Sequence, residues 1–219
     1  MQAAEILAAV DHTLLKQTAT WAEIQRICEE AKTYHTATVM VPSCFIARIK
    51  QTYGEAIRAA TVVGFPNGNC STAAKLAEAA QALSDGAAEI DMVINVGALK
   101  YGDTQYVTDE IRALKALCGE RVLKVIVETC FLTEEEKIAA CKCVTEGGAD
   151  FIKTSTGFGT AGATLADIKL FKEHIGPHVQ MKAAGGIRTR EEMEAFLAAG
   201  CTRLGASAAV KVLKEEMKR

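Results

Sequence analysis

Short apolar, β-branched runs recur along this chain at intervals of about 25 residues, and that period limits the folds open to it. The runs are AVDHT (9–13), ATVMV (37–41), ATVVG (60–64), AEIDMVI (88–94), VLKVIVE (122–128), DFIKT (150–154), VQMKA (179–183) and TRLG (202–205). Amphipathic stretches of helical length lie between most of them, among them TWAEIQRICEEAKTY, TAAKLAEAAQALSDG, TEEEKIAACKCVTEGG and TREEMEAFLAAG. Several open with a threonine suited to cap a helix and several close on glycine, which stops one. Repeated strand–helix units imply parallel strands joined by right-handed crossovers. Eight such strands predict a closed (β/α)8 TIM barrel, and 219 residues is near the lower end of its size range. The competing architecture, an open doubly wound sheet, usually has fewer strands and a GxGxxG turn, which is missing after the first run here. No Pro/Gly/Ser linker or low-complexity tract interrupts the pattern, so residues 1–219 read as a single domain.

Composition narrows the function. The chain is 49% hydrophobic and 24% charged, the balance of a soluble globular protein. Lys plus Arg number 25 against 27 Asp plus Glu, so there is no basic field to suggest a nucleic-acid partner. The N-terminal MQAAEILAAV carries Glu5 and lacks the basic start of a secretory signal. No run approaches the roughly 20 apolar residues of a membrane helix, and the expected location is cytoplasmic. Eight cysteines lie at 28, 44, 70, 118, 130, 141, 143 and 201 without paired CxxC spacing. Cys141 and Cys143 would point about 200° apart on a helix and not share a metal. Reduced, mostly buried thiols are the expectation.

The strands carry charges where apolar residues belong. In the fifth run Leu123, Val125 and Val127 form the aliphatic, helix-facing set, which turns Lys124 and Glu128 inward. The same alternation sends Glu89 and Asp91 of the fourth run inward, with Lys153 of the sixth and Lys182 of the seventh. Structural ion pairing suffices for Glu89 and Lys124, because unpaired buried charges are costly. Asp91, Lys153 and Lys182, near the ends of neighbouring strands, read instead as a reaction centre. Two close, buried lysines disfavour each other's protonation. The neutral amine that results attacks a carbonyl to form an imine, whose protonated form accepts electrons from a breaking C–C bond without metal or cofactor. A carboxylate such as Asp91 then shuttles protons, directly or through a water. The glycine-rich segments KAAGGIR (182–188) and RLGASAAV (203–210) follow the seventh and eighth strands, where such barrels often bind phosphate. Gly157, Gly185, Gly186, Gly205 and Ser207 are the candidates, with backbone N–H groups approaching the anion. Plain tight turns are the alternative for these glycines.

These residues lie in segments that resemble the bacterial 2-deoxyribose-5-phosphate aldolases, class I aldolases of deoxyribonucleoside breakdown. The segments are DHTLL (11–15), VVGFPNG (62–68), AEIDMVINVGALK (88–100), LKVIVETCFLT (123–133), DFIKTSTGFG (150–159), KAAGGIRT (182–189) and RLGAS (203–207). The resemblance implies reversible cleavage of 2-deoxy-D-ribose 5-phosphate to D-glyceraldehyde 3-phosphate and acetaldehyde, with no cofactor and no metal. It makes Lys153 the imine-forming nucleophile, Lys182 the partner that lowers its pKa, and Asp91 the proton-transfer carboxylate. It places Asp11 and Thr13 at the substrate end of the first strand. It gives the phosphate to Thr156, Gly157, Gly185, Gly186, Gly205 and Ser207, with Arg188 nearby. Three positions depart from the family pattern. Val39 stands where a cysteine is frequent, which should spare the protein thiol reactions with aldehydes. Asn67 replaces a frequent leucine. Ala208 replaces a frequent serine, at an expected loss of about 1 kcal/mol in phosphate binding. Another Schiff-base barrel, such as a transaldolase, would carry similar parts. A non-catalytic phosphosugar-binding barrel would have little use for a neutral lysine. A homodimer is expected on general prevalence alone.

Overall fold

The computed structural model describes residues 1–216. Eight parallel strands close into a barrel in sequence order: β1 (Val10–Thr13), β2 (Thr38–Val41), β3 (Ala59–Val63), β4 (Glu89–Val93), β5 (Val122–Ile126), β6 (Phe151–Lys153), β7 (Gln180–Ala184) and β8 (Arg203–Ala206). Around and between them run α1 (Ala3–Ala8), α2 (Trp21–Tyr34), α3 (Ile46–Tyr53), α4 (Thr72–Ser84), α5 (Val96–Tyr101), α6 (Thr104–Cys118), α7 (Glu134–Glu146), α8 (Leu165–His174), α9 (Arg190–Ala199) and α10 (Ala209–Leu213). The predicted TIM barrel is the fold observed. Among the described residues no helix is long and apolar enough to cross a membrane.

Local chemistry explains the helix starts. Thr20, Thr133 and Thr189 each accept the backbone N–H three residues on, and Glu23, Glu136 and Glu192 reach back to the cap. Each such cap is worth about 1 kcal/mol. The start of α4 differs from expectation: Ser71, not Thr72, accepts the Ala74 N–H. The hydroxyl one residue earlier takes the cap because Ser71 is the last residue with extended backbone.

Most of the apolar core lies between barrel and helices. Ile90, Met92, Leu123, Val125, Ile152, Met181 and Leu204 face outward into it and are almost wholly buried. Each such side chain contributes roughly 1.5–3 kcal/mol of transfer free energy. The barrel interior is divided. Met40, Ala60 and Val62 form a separate apolar cluster on the β2–β3 side, while ionisable side chains fill the β4–β8 side and β1.

Candidate active site

Strand register brings the predicted lysines together. Lys153 ends β6 and is paired directly with Lys182 of β7, so both side chains project to one face. Asp91 of β4 is paired with Lys124 of β5. All four are interior, none more than 2% exposed. Asp91 is their hub. Its Oδ2 accepts from Lys153 Nζ at 2.8 Å and from Lys182 Nζ at 2.7 Å, and its Oδ1 accepts from Lys124 Nζ at 2.7 Å. Lys182 also donates to Asp11 Oδ2. Beneath them, Lys124 lies 2.6 Å from Glu89 Oε2, and Arg203 bridges Asp11 Oδ1 at 2.7 Å and Glu89 Oε2 at 3.0 Å.

A charge count shows which group gives way. Four cations (Lys124, Lys153, Lys182, Arg203) meet three carboxylates (Asp11, Glu89, Asp91). Lys124 touches two carboxylates closely and Lys182 two, whereas Lys153 shares a single oxygen of Asp91 with Lys182. Loss of the Lys153 proton balances the set. Burial disfavours the Lys153 ammonium most, Asp91 opposes that, and the Lys182 and Lys124 charges add to it, leaving Lys153 lowered to about 8. Lys124 moves the other way: burial opposes its charge, but Asp91, Asp11 and Glu89 outweigh it and raise its pKa. Burial also opposes the charge on Asp91, yet Lys124, Lys153 and Lys182 hold that carboxyl well below the usual range. The expectation that Lys182 lowers its neighbour therefore describes the smaller of the two main lowering causes, with burial first.

The interior opens upward through Lys153 into a cleft of about 280 Å³. Lys153 lines its floor, and its walls include Thr13, Thr156, Gly157, Gly185, Gly186, Arg188, Gly205 and Ser207. Gly157, Gly185 and Gly186 all have positive φ (85°, 84° and 78°), backbone that side-chain-bearing residues rarely adopt. Among the described residues, the N–H groups of Gly157 and Gly186 have no protein acceptor. They are free to meet an anion. Gly205 has a different reason to be glycine: a Cβ there would lie 2.8 Å from Ala184 Cβ and 3.3 Å from Lys182 Cε.

Several predicted residues sit elsewhere than expected. Asp11 does not reach the cleft. It is fully buried below the lysines, where Lys182, Arg203 and the Thr38 hydroxyl surround it. Thr156 lines the cleft, but its N–H and hydroxyl both donate to the Glu128 carboxylate, so neither proton is available to a phosphate. Glu128 itself lies past the end of β5 with φ 53° and ψ 66°, a left-handed backbone that the alternation of a longer strand could not anticipate. Val39 pairs with His12 and packs in the outer core beside the helices. The thiol nearest the site is thus set by other positions, and Cys44, exposed, lines an adjoining cavity of about 340 Å³. Lys16 lines the cleft and was not predicted. Its only signal was a cation three residues after the first strand. Ala208 stands at the N-cap of α10 and offers no side-chain hydrogen bond there. Five of the eight cysteines are buried and all are free, while Cys44 and Cys70 are exposed.

Similarity to known proteins follows the same lines. The DeoC/LacD family aldolase pattern matches residues 5–212. A deoxyribose-phosphate aldolase of Clostridium botulinum (strain Alaska E43 / Type E3) is 61% identical over 216 residues, covering 99% of this chain and 98% of that one. A deoxyribose-phosphate aldolase of Streptococcus pyogenes serotype M4 is 50% identical over 99% of this chain and 97% of its own. The tetrameric deoxyribose phosphate aldolase of Aeropyrum pernix superposes with a TM-score of 0.89 at 27% identity, covering 98% of this chain and 92% of that one.

Proposed function

The chain belongs to the DeoC/LacD family of aldolases, and from that premise we propose that it cleaves 2-deoxy-D-ribose 5-phosphate reversibly to D-glyceraldehyde 3-phosphate and acetaldehyde, through an imine on Lys153. One observation carries the assignment of the nucleophile. Of the interior lysines among the described residues, Lys153 alone opens into the cleft, and its surroundings lower it to about 8.

The chemistry uses groups already in place. Neutral Lys153 attacks the C1 aldehyde of the open-chain sugar, and loss of water leaves a protonated imine. A base removes the proton of the C3 hydroxyl, the C2–C3 bond breaks, and its electron pair moves toward the iminium nitrogen. Glyceraldehyde 3-phosphate departs and an enamine remains. A proton delivered to C2 gives the acetaldehyde iminium, which water hydrolyses. Asp91, fixed by Lys124 and Lys182, sits beside the reacting nitrogen and relays the proton with a water molecule. At the far end of the cleft, the amides of Gly157 and Gly186, with Arg188, Lys16 and Ser207, suit the 5-phosphate. Gly185 gives the β7 turn its shape.

The test is covalent trapping. Protein incubated with acetaldehyde and reduced with borohydride should carry an ethyl group on Lys153, located by peptide mapping. Lys153→Arg should fold, take up no ethyl group and lose turnover. An adduct confined to surface lysines would sink the assignment. The protein should also add acetaldehyde to glyceraldehyde 3-phosphate, which a transaldolase would not do. We further propose a cytoplasmic homodimer, the dimer read from general prevalence and the compartment from eight free thiols. Sedimentation analysis measures the association.

A further inference from the structure

The Glu128 carboxylate is 3% exposed, and among the described residues it has no cationic partner. Buried carboxylates without a cation are expensive and are kept where their hydrogen bonds matter. Its partners belong to one turn. The Thr156 N–H lies 3.2 and 3.3 Å from its two oxygens, the Thr156 hydroxyl donates to Oε2, and the Cys130 thiol is at 3.9 Å. Thr156 Oγ1 in turn accepts the Phe158 N–H at 3.0 Å. A Cβ on Gly159 would fall 2.7 Å from Cys130 Sγ and 3.1 Å from Glu128 Cδ. The whole turn 156–159 is therefore folded over this carboxylate, which leaves the intervening Gly157 N–H without a protein acceptor, in a residue that lines the cleft.

Backbone geometry at Glu128 supports the same reading. The β5–β6 ladder continues on both sides of it: Val127 N donates to Lys153 O and Thr129 N to Thr154 O, each at 3.0 Å. Glu128 is the residue displaced between them, in left-handed backbone that a non-glycine residue adopts only at a free-energy cost. Strain of this kind persists where the surroundings require it, most often at functional sites. Here it aims the carboxylate at the back of the turn.

We propose that Glu128 is a positioning residue for the phosphate end of the substrate: it clamps Thr156 so that the Gly157 amide faces the anion. The proposal rests on the phosphosugar reading of the cleft. Glu128 does not line the cleft itself; it lies across the turn from it, in the lining of a separate cavity of about 350 Å³ beside Phe131 and Gly159. Its effect should consequently fall on substrates that carry the phosphate and spare those that do not.

The experiment compares the full-length protein with Glu128→Gln, Thr156→Val and Thr156→Ser on 2-deoxyribose 5-phosphate and on unphosphorylated 2-deoxyribose. Glu128→Gln and Thr156→Val should each raise KM for the phosphorylated sugar at least tenfold. Their kcat/KM for the unphosphorylated sugar should stay within twofold of the parent, and Thr156→Ser, which keeps the hydroxyl, should behave as the parent. Inhibition by inorganic phosphate should weaken in parallel. Equal losses on both sugars would overturn the proposal, because a clamp serving only fold stability or the lysine centre acts on both alike. Unchanged KM would overturn it too. Failure of borohydride to mark Lys153 in the parent would indict the aldolase reading instead, and direct binding of inorganic phosphate to parent and variants, measured by calorimetry, would still decide the clamp. Should Glu128→Gln not fold, Thr156→Val removes the same hydroxyl bond and decides the question.

Discussion

Lys182→Met removes one charge of the lysine pair while preserving most of the stem's bulk. The two ammonium nitrogens share Asp91 Oδ2 at 2.8 and 2.7 Å, which places them roughly 5.5 Å apart at most. Two like charges at that separation, in an effective dielectric of about 20, repel by about 3 kcal/mol, or roughly two pKa units. In the variant Asp91 Oδ2 is left to Lys153 alone, and the interior count becomes three cations to three carboxylates. Protonated Lys153 is then the balanced state, so its pKa should climb from about 8 toward its ordinary value. The neutral fraction at pH 7 should fall from about one in ten to about one in a thousand.

Borohydride trapping with acetaldehyde, followed from pH 6 to 11, reads that fraction at Lys153. The parent should show an inflection near pH 8. The variant should inflect about two units higher, with its rate at the alkaline end approaching the parent's. Recovery at high pH separates a shifted amine from a damaged site, since a misplaced lysine stays slow at every pH. An inflection that stays near pH 8 would refute the argument and assign the lowering of Lys153 to burial alone.

Four further outcomes follow from particular atoms. Gly205→Ala should cost about 1–3 kcal/mol in stability and slow imine formation at least tenfold, because the new Cβ meets Ala184 and the Lys182 stem; chemical denaturation and trapping rates measure both. Ala208→Ser restores a hydroxyl at the start of α10 and should lower KM for the phosphorylated sugar about fivefold, the scale of one hydrogen bond; an unchanged KM would place the phosphate away from this loop. Crotonaldehyde should modify the exposed Cys44 and Cys70 before any buried thiol, and peptide mapping will show whether loss of activity tracks Cys44 beside the cleft. Asp11 and Asp91 have pKa values depressed in the fold, so their contribution is present above about pH 4, the unfolded carboxylate value, and is lost as pH falls through the folded values. The urea midpoint should thus hold from pH 7 to about 5 and fall steeply below about 4; a steep fall already between pH 7 and 5 would contradict the depression.

The barrel was legible because the strand–helix period repeats eight times, more than an open doubly wound sheet usually carries, and no GxGxxG turn follows the first run. The inward placement of Lys153, Lys182 and Asp91 was legible for a related reason, since alternation within an otherwise aliphatic strand betrays each polar residue on the wrong face. What stayed hidden depends on contacts between strands distant in sequence. Asp11 read as a substrate contact because its strand-end position says nothing of Lys182 and Arg203 closing over it. Arg203 read as part of a glycine turn, although it enters the barrel floor from β8. The clamp on Thr156 was invisible because Glu128 leaves the strand's alternation at the point where it acts. Val39 was noted as standing where a cysteine is frequent, but that its side chain packs against the helices is known only from the strand register.

The ionic half of the barrel bears on why a fold would keep so many buried charges. Well-packed hydrophobic residues in place of a buried ion pair are often as stable or more so, and the β2–β3 side shows this barrel accepting such packing at Met40, Ala60 and Val62. A fully matched network would hold each lysine protonated and chemically idle, as Lys124 is held by Asp91 and Glu89. The surplus cation changes that. With four cations to three carboxylates, one proton is held less firmly than the rest, and Lys153 has both the fewest partners and the opening to the cleft. Removing any one carboxylate should therefore do more than loosen a pair. It adds a second unmatched charge, destabilises the folded protein at neutral pH and pushes Lys153 further down, whereas removing Lys124 or Lys182 pushes it up. The opposite signs of these two shifts belong to a shared charge balance, and separate pairwise contacts would not link the barrel floor at Glu89 to the amine at the top of β6.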